Sequence, residues 1–188
     1  MDKEKKWQLL EASPAIDLNI LRVQYHYYKN PRNEKTVKTV VINGNDSVNV
    51  VALTKDRKVI MVRQFRFGIG HYTLELPGGM LDEGEMVVTA AKRELREETG
   101  YVGENWQVLG KIQSNPVFMD SLVHHYWVAG VQKKYALELD EAEDVEVLEV
   151  ALDDIPRLIK EGIILHPHTI SAFYFANLEK EVRSQIEK

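Results

Sequence analysis

Alternating apolar and polar residues predict several short β-strands along the chain. β-branched and aromatic residues alternate with polar ones over residues 18–28 and 35–42, with the turn-forming sequence Asn-Pro-Arg-Asn at 30–33 between them. These segments predict a hairpin. The same criteria predict further strands at residues 48–54, 59–65, 73–76, 106–113, 122–131 and 145–150.

Three segments have the composition and periodicity of helices. Residues 86–99 are strong helix formers followed by Gly100, residues 152–161 carry a proline in their first turn, and residues 169–186 repeat apolar side chains at helical spacing. Strands interspersed with helices predict an α/β fold, in which helices sandwich a mixed sheet. The N-terminal hairpin extends this fold as an antiparallel addition.

The first predicted helix carries charge where an amphipathic helix would be apolar. Projected at about 100° per residue, Glu94 and Glu98 fall in the middle of the apolar arc and Glu97 lies at its edge. The three positions are one helical turn apart, so their carboxylates can converge. Three converging carboxylates repel one another and require a compensating charge.

A divalent cation is the partner that this arrangement favours. An unpaired buried ion is penalised by several kcal/mol, and an all-oxygen ligand set suits Mg²⁺, or Mn²⁺, better than Zn²⁺. The alternative is a solvated acidic helix edge paired with Arg93 and Arg96. The helical phase favours the metal site.

The spacing of residues around this helix resembles the signature box of the Nudix hydrolases. That box reads Gly, five residues, Glu, seven residues, Arg-Glu, a bulky apolar residue, one residue, Glu-Glu, one residue, Gly and a final bulky apolar residue. Tyr101 fills the last place with an aromatic ring. The other matching positions are Gly79, Glu85, Arg93, Glu94, Leu95, Glu97, Glu98 and Gly100.

The resemblance implies a loop, helix and loop that hold Mg²⁺ against a diphosphate, within a Nudix-type α/β/α sandwich. It assigns metal-ligand roles to Gly79, through its backbone carbonyl, and to Glu94, Glu97 and Glu98. Glu97 has the alternative role of a general base. Glu85 and Arg93 are expected to form a structural salt bridge that fixes the loop.

Composition and charge exclude several other classes of function. The 188 residues include 24 basic and 29 acidic residues, which give a net charge of −5, so we expect no nucleic-acid partner. The chain has no cysteine, which excludes thiol catalysis and fits a reducing, cytoplasmic location. The charged residues 1–7 precede no apolar stretch, so we expect neither a secretory signal nor membrane association.

The first 47 residues are expected to form an N-terminal β extension, and residues 48–188 the Nudix domain. Because an isolated hairpin is only marginally stable in water, we expect it to pack against another part of the protein or against a partner. In the nucleotide-sugar branch of the family a comparable sheet extends to a second subunit, so we expect a homodimer. Tyr25, Tyr27 or Tyr28 would then stack on a nucleobase in the partner's site, the alternative being cross-strand aromatic pairs.

The segments before the box resemble those of ADP-ribose and nucleoside diphosphate sugar pyrophosphatases. Arg63 and Arg66 are predicted to project to one side of their strand and to bind phosphate, the alternative being exposed edge charges. Glu75 is expected to bind ribose hydroxyls, to join the metal network or to pair with an arginine. Pro116 lies near a marker proline of the ADP-ribose branch, but Val117 replaces the glycine that usually follows it.

The acidic stretch at residues 139–147 provides candidates for the base that activates water. It resembles the catalytic loop of the ADP-ribose branch, and Glu141 and Glu143 are the candidate bases, with Glu97 as the alternative. The adjacent histidines at 124 and 125 point to opposite faces of a strand and are poor metal ligands.

The sequence thus predicts Mg²⁺-dependent hydrolysis of the pyrophosphate bond of nucleoside diphosphate sugars, such as ADP-ribose or GDP-mannose. The products would be a nucleoside monophosphate and a sugar phosphate. Two alternatives stay open: a broad pyrophosphatase acting on dinucleotide polyphosphates or nucleoside triphosphates, and a sensor that binds a nucleotide sugar without cutting it.

Overall fold

The computed structural model describes residues 6–141 and 143–179, and the chain divides into two compact units. The N-terminal unit comprises Met1–Asn45 and Gln113–Leu122, and the second unit, called the box unit because it contains residues 79–101, comprises Asp46–Ile112 and Val123–Lys188. The expected division after residue 47 did not include the later segment that belongs to the N-terminal unit.

The N-terminal unit is built on a four-stranded antiparallel sheet. Its strands are β1 (Gln8–Ala12), β2 (Ile16–Asp17), β3 (Leu21–Lys29) and β4 (Thr36–Gly44). β3 pairs with each of the other three, and its pairing with β4 forms the predicted hairpin. The side chain of Asn30 stabilises the turn by accepting a hydrogen bond from the Arg32 N–H (2.9 Å).

The box unit contains a mixed sheet, as the α/β prediction requires. Its strands are β5 (Ser47–Leu53), β6 (Lys58–Arg66), β7 (His71–Glu75), β8 (Tyr101–Val102), β9 (Trp106–Gln113), β10 (Leu122–Ala129), β11 (Gln132–Lys133) and β12 (Val145–Ala151). The main sheet has the order β12-β6-β5-β10-β9, with β7 on β6. β5 is parallel to β10, whereas β6 is antiparallel to β5, β7 and β12.

The helices of the described residues are α1 (Val87–Thr99), α2 (Ile155–Lys160) and α3 (Pro167–Leu178), with a 3₁₀ turn at Leu152–Asp154 before α2. α1 ends at Gly100, which adopts a left-handed conformation (φ 74°) and donates its N–H to the Arg96 carbonyl (2.8 Å). The third predicted helix, at 169–186, begins earlier, at Pro167, because proline suits the first helical turn. Its last residues, 180–186, lie outside the described part of the chain.

The sheet of the box unit is covered by apolar side chains on both faces. Val48, Val50 and Ala52 of β5 pack in a cluster with residues of α1. The intervening Val51 and Leu53 pack in a second cluster with residues of α2 and α3, because successive side chains of a strand point to opposite faces. The predicted sandwich is therefore confirmed. Among the described residues no helix is long and apolar enough to cross a membrane.

Candidate active site

Helix α1 presents two glutamates to the interior of the box unit, as its sequence phase predicts. Glu94 is 8% exposed and Glu98 is 3% exposed, beside the fully buried Leu95. The backbone N–H of Gly78 donates to Glu98 Oε2 (2.8 Å). A side chain at Gly79 would collide with the Glu94 carboxylate, since a Cβ there would lie 2.5 Å from Oε1. The two glycines thus bring the backbone against both carboxylates.

Burial changes the proton affinity of both groups. Loss of solvent raises the pKa of Glu98 to about 8, and the neighbouring charge of Glu94 adds to this shift. Burial also raises the pKa of Glu94 to about 7, although the guanidinium of Arg93 acts against it. The pair is consequently short of positive charge, which is the electrostatic condition of a cation site.

Arg93 connects the loop before α1 to the helix itself. Its Nε and Nη2 lie 3.1 and 2.9 Å from the two carboxylate oxygens of Glu85, and its Nη2 also donates to the Met80 carbonyl (3.1 Å). Nη1 lies 2.8 Å from Glu94 Oε1. The hydrogen bonds to Glu85 raise the pKa of Arg93 further above its ordinary value. Because Arg93 is shared with Glu85, it offsets the charge of Glu94 only in part.

Glu97 faces two arginines. Its Oε1 lies 2.7 Å from Arg96 Nη2, and its Oε2 lies 3.3 Å from Arg93 Nη1. Arg96 also pairs with Glu138 (2.7 Å), whose N–H donates to the Glu97 carbonyl (2.9 Å). Both carboxylate oxygens of Glu97 therefore have partners. A role for it as metal ligand or base requires that an arginine be displaced.

The donor atoms around Glu94 and Glu98 fit a hard divalent cation. They are carboxylate and backbone oxygens, the ligands that Mg²⁺ prefers, and the carbonyl of Gly79 keeps one lone pair while it accepts from the Val48 N–H (2.9 Å). Within the described residues, no three acidic or histidine side chains are gathered closely enough to form a complete ligand set. The site thus supplies two carboxylates, and a substrate diphosphate or water would have to complete the coordination.

A cavity of about 700 Å³ adjoins the glycine turn and includes Arg66, Thr73, Glu75, Gly78, Gly79 and His166 in its lining. Arg66 and Glu75 form a bidentate pair, with Nε–Oε1 at 2.8 Å and Nη2–Oε2 at 2.6 Å. The Thr73 hydroxyl also donates to Glu75, and His166 Nε2 lies 3.4 Å from Oε2. Burial favours protonation of Glu75, but the hydrogen bonds and charge of Arg66, together with the hydrogen bond from Thr73 and the charge of His166, outweigh it and lower the pKa. Of the expected roles for Glu75, pairing with an arginine is the one the geometry displays.

Arg63 lies apart from this pair. Its Nη1 is 3.1 Å from Glu146 Oε2, and its guanidinium lies 4.4 Å from the ring centroid of Tyr72. The prediction that Arg63 and Arg66 project to one side of their strand is therefore wrong, because residues three apart in a strand point to opposite faces. Arg66 is the arginine that lines the cavity.

Of the two candidate bases in the acidic loop, Glu143 is the one whose charge acts on the buried pair. Glu143 is exposed and accepts a hydrogen bond from the Asp140 N–H (3.0 Å). Its charge contributes to the raised pKa of both Glu94 and Glu98 and of Arg66. Glu141 is exposed and makes no hydrogen bond or ion pair within the described residues.

The tyrosines expected to reach a nucleobase lie on β3 of the N-terminal unit. The ring of Tyr28 packs edge-on against Trp7 (6.4 Å between centroids), and its hydroxyl lies 3.3 Å from His26 Nδ1. Tyr25 is 41% exposed, with Lys38 Nζ 3.7 Å from its ring centroid. The contacts of these two side chains are thus cross-strand and neighbouring contacts within this unit.

Asn49 is a further polar residue at the cavity, and the sequence does not predict it as a site residue. It interrupts the apolar strand β5 and is 6% exposed, and its side chain contacts the buried His125. His124, the neighbour of His125, points the other way and pairs with Asp46 (3.0 Å). A polar residue inside a strand that is otherwise apolar is the one signal that could identify Asn49.

Comparison with known proteins agrees with this geometry. Residues 45–182 match the family model described as NUDIX domain. The chain is 35% identical over 152 residues to the methanol dehydrogenase activator of Bacillus methanolicus, covering 80% of this chain and 82% of the relative. It is 33% identical over 154 residues to the ADP-ribose pyrophosphatase of Bacillus subtilis, covering 81% and 83%.

The fold has a close counterpart among solved structures. A crystal structure of an ADP compounds hydrolase superposes with a TM-score of 0.83 at 22% identity, and the match covers 96% of each chain. Members of this family generally use divalent metal ions. The family match confirms the resemblance to the Nudix hydrolases that the box predicted, and the named relatives confirm the ADP-ribose pyrophosphatase branch that the segments before the box predicted. The chain belongs to the Nudix family and is a Nudix hydrolase.

Proposed function

We propose that this enzyme hydrolyses the pyrophosphate bond of nucleoside diphosphate sugars in a Mg²⁺-dependent reaction, with ADP-ribose as its foremost substrate. GDP-mannose and related compounds are further candidates. The observation that carries the proposal is the pair of buried carboxylates on α1, Glu94 and Glu98, held against the Gly78–Gly79 backbone beside a cavity that contains Arg66. The similarity to the ADP-ribose pyrophosphatase of Bacillus subtilis supports the choice of substrate.

In this proposal Glu94, Glu98 and the Gly79 carbonyl hold the metal, and Glu97 joins them if it leaves its arginines. A bound Mg²⁺ would offset diphosphate charge and lower the pKa of a coordinated water. Mn²⁺ has the same ligand preference and is expected to substitute. Arg93 and Glu85 keep the loop and α1 together, so that the carboxylates stay in register with the glycine turn.

Substrate binding and proton transfer fall to side chains around the pair. The side chain of Arg66 is 41% exposed and its guanidinium is fixed by Glu75, so it is oriented to donate hydrogen bonds to phosphate oxygens. Glu143 is the proposed general base: it is exposed, bears on the electrostatics of Glu94 and Glu98, and could accept the proton of the attacking water. Glu141 serves as its matched control.

The proposal includes a homodimer formed through the N-terminal unit. Several apolar side chains of its sheet and the adjoining loop are about half exposed or more, namely Leu9, Leu10, Ile16, Leu18 and Ile20. An apolar surface of this kind is typical of protein contacts, and a second copy would cover it and bring Tyr25 or Tyr28 to a nucleobase. A monomeric mass by light scattering at micromolar concentration would contradict the dimer.

A panel assay tests the reaction. ADP-ribose, GDP-mannose, UDP-glucose, NADH and a diadenosine polyphosphate are incubated with the enzyme, with and without Mg²⁺, and phosphatase converts the products to free phosphate. A nucleoside triphosphate is incubated without phosphatase, which would attack it directly, and its nucleoside monophosphate product is separated by chromatography. We expect Mg²⁺-dependent release that is fastest with ADP-ribose. Release only from the dinucleotide or the triphosphate would favour a broad pyrophosphatase, and no release from any compound would favour a sensor.

One similarity supports a second role. The relative from Bacillus methanolicus is named as an activator of methanol dehydrogenase and matches over most of both chains. An additional arm of the panel therefore adds this enzyme to a methanol dehydrogenase assay. A rise in dehydrogenase rate that the E98Q variant does not produce would link that role to the same carboxylate site.

A further inference from the structure

Three polar side chains form a buried hydrogen-bonded chain from helix α3 to the cavity. Ser171 Oγ on α3 lies 3.0 Å from His125 Nε2 on β10, and His125 Nδ1 lies 2.6 Å from Asn49 Oδ1 on β5. His125 is fully buried, Asn49 is 6% exposed, and the two are register partners in the parallel β5–β10 pair. Such a chain beside an apolar core calls for a physical reason.

The protonation state of His125 decides which groups donate and which accept along this hydrogen-bonded chain. Burial lowers the pKa of His125 to about 4, so the ring is neutral near pH 7 and carries a single N–H. Because the Asn49 oxygen can only accept, that hydrogen belongs on Nδ1. Nε2 then accepts from the Ser171 hydroxyl. The carboxamide of Asn49 is thereby held with its oxygen towards His125 and its NH₂ group turned away.

The NH₂ group of Asn49 is available to a ligand. It has no hydrogen-bond partner among the residues that the structure describes, and Asn49 lines the cavity together with Arg66, Glu75 and Gly78. The backbone of Asn49 also lies directly against Gly78, where an added Cβ would be 2.7 Å from the Asn49 Cα. Since the Gly78 N–H binds Glu98, Asn49 is one residue removed from the carboxylate site.

We propose that Asn49 is a substrate-positioning residue, whose NH₂ group donates a hydrogen bond to a diphosphate or ribose oxygen of the bound nucleotide sugar, and that His125 and Ser171 hold the carboxamide in that orientation. This inference rests on the proposed function, because it takes the cavity to be the substrate site. The Ser171 hydroxyl also lies 3.0 Å from the His168 carbonyl. Its single hydrogen is therefore shared between that carbonyl and His125 Nε2, while the 2.6 Å contact with His125 Nδ1 keeps the Asn49 oxygen on the histidine side.

Steady-state kinetics with ADP-ribose tests the assignment through the variants N49A, N49D, S171A and N49A/S171A. N49A is expected to raise KM about tenfold, the magnitude of one hydrogen bond to a charged acceptor, with kcat within about twofold of the wild type. N49D should raise KM further, because a carboxylate repels the diphosphate. S171A should raise KM by about threefold, and the double variant should be no worse than N49A alone.

A control variant separates this role from a structural one. S114A removes the partner of the Ser121 hydroxyl (3.0 Å) in the N-terminal unit and should leave KM unchanged. An unchanged KM in N49A would overturn the proposal. So would a KM for N49D below that of N49A, which would mean that Asn49 presents its oxygen. A loss of kcat together with melting temperature, at constant KM, would assign Asn49 a structural role only.

Binding distinguishes failure of this inference from failure of the proposed function. ADP-ribose is titrated calorimetrically into E98Q and E98Q/N49A in the presence of Mg²⁺, where turnover is expected to be absent. Weaker binding by E98Q/N49A supports the role of Asn49 even if the wild type hydrolyses no member of the panel. Hydrolysis by the wild type with equal KM in N49A overturns this inference alone, and absence of both hydrolysis and binding overturns both.

Discussion

Two carboxylate sites in the box unit are almost equally buried but differ in their electrostatics. Glu75 on β7 is 1% exposed and Glu98 on α1 is 3% exposed. Glu75 has two hydrogen bonds from Arg66 and one from Thr73, which overcome the effect of burial and lower its pKa. Among the described residues Glu98 has one hydrogen bond, from the Gly78 N–H, and burial raises its pKa to about 8.

The difference shows that burial of an acid does not by itself indicate a catalytic site. Glu75 is a complete ion pair that orients Arg66, and its charge is neutralised by the protein. Glu98 and Glu94 share an interior with too little positive charge, so their pKa values are raised and a bound cation would offset their charge. The comparison therefore separates a carboxylate that positions a guanidinium from carboxylates that are expected to bind a cation.

The largest effect is expected from removing one charge of the α1 pair. E98Q should lower kcat by about a thousandfold or more, the order observed when a group central to transition-state stabilisation is lost, while the fold is preserved. Steady-state kinetics with ADP-ribose measure kcat, and a thermal melt shows whether the fold is preserved. E161Q, which removes an exposed carboxylate paired with Arg157 on α2, is the control and should behave as the wild type.

The two glutamates of the acidic loop sharpen the comparison further. E143Q should lower kcat by about a hundredfold, as expected for loss of a general base, and E141Q should change it by less than about twofold. Both variants carry the same chemical change, and steady-state kinetics with ADP-ribose compares them. Equal rates for both would place the base elsewhere, and a larger loss in E141Q would reverse the assignment.

Removing Arg66, the partner of Glu75, should lower the stability of the protein as well as its affinity for substrate. R66A leaves a buried carboxylate without its cation, so we expect a loss of about 2–3 kcal/mol in the free energy of unfolding, reduced from the fully buried case because Arg66 is partly exposed. KM for ADP-ribose should rise about tenfold. In R63A, which breaks a surface pair with Glu146, the loss should stay below about 1 kcal/mol. Denaturant unfolding of both variants measures the contrast.

A smaller effect concerns the pH dependence of stability without metal. The pKa of Glu98 is raised from an ordinary 4.5 to about 8 in the folded protein. The folded state therefore binds this proton more tightly than the unfolded state, and the resulting contribution to the free energy of unfolding is fully present at low pH and is lost as pH rises towards 8. His125 and His166, with pKa lowered to about 4, titrate in the opposite sense, so the wild type is compared with E98Q. In EDTA the two should melt alike near pH 5, and E98Q should melt several degrees higher near pH 8. Parallel curves would contradict the assigned shift.

The helical phase of Glu94 and Glu98 makes the carboxylate site predictable from the sequence. Contacts between distant segments cannot be predicted from such a local pattern. The positions of Glu94 and Glu98 follow from a period of about 3.6 residues, so the pattern of the chain is enough to infer their burial. The prediction for Arg63 is wrong because a strand has a period of two, which separates it from Arg66. β8 and β11 have two residues each, too few for any alternation to register.

The hydrogen-bonded chain behind the cavity is beyond sequence reasoning. Asn49, His125 and Ser171 are separated by 76 and 46 positions, and only the parallel pairing of β5 with β10 and the packing of α3 bring them together. The sequence argues against His125 as a metal ligand, but its hydrogen-bond partners follow only from the strand register. Long-range polar contacts of this kind carry no local pattern.

The central claim is that Glu94 and Glu98 form a divalent-metal site. Calorimetric titration of Mn²⁺ into the wild type and E98Q at pH 7, in two buffers of different ionisation enthalpy, tests it most directly. We expect the wild type to bind Mn²⁺ with net release of protons, because the pKa of Glu98 near 8 leaves it largely protonated before the metal arrives. E98Q should bind at least about tenfold more weakly and release fewer protons. Equal affinity and equal proton release in both proteins would contradict the claim.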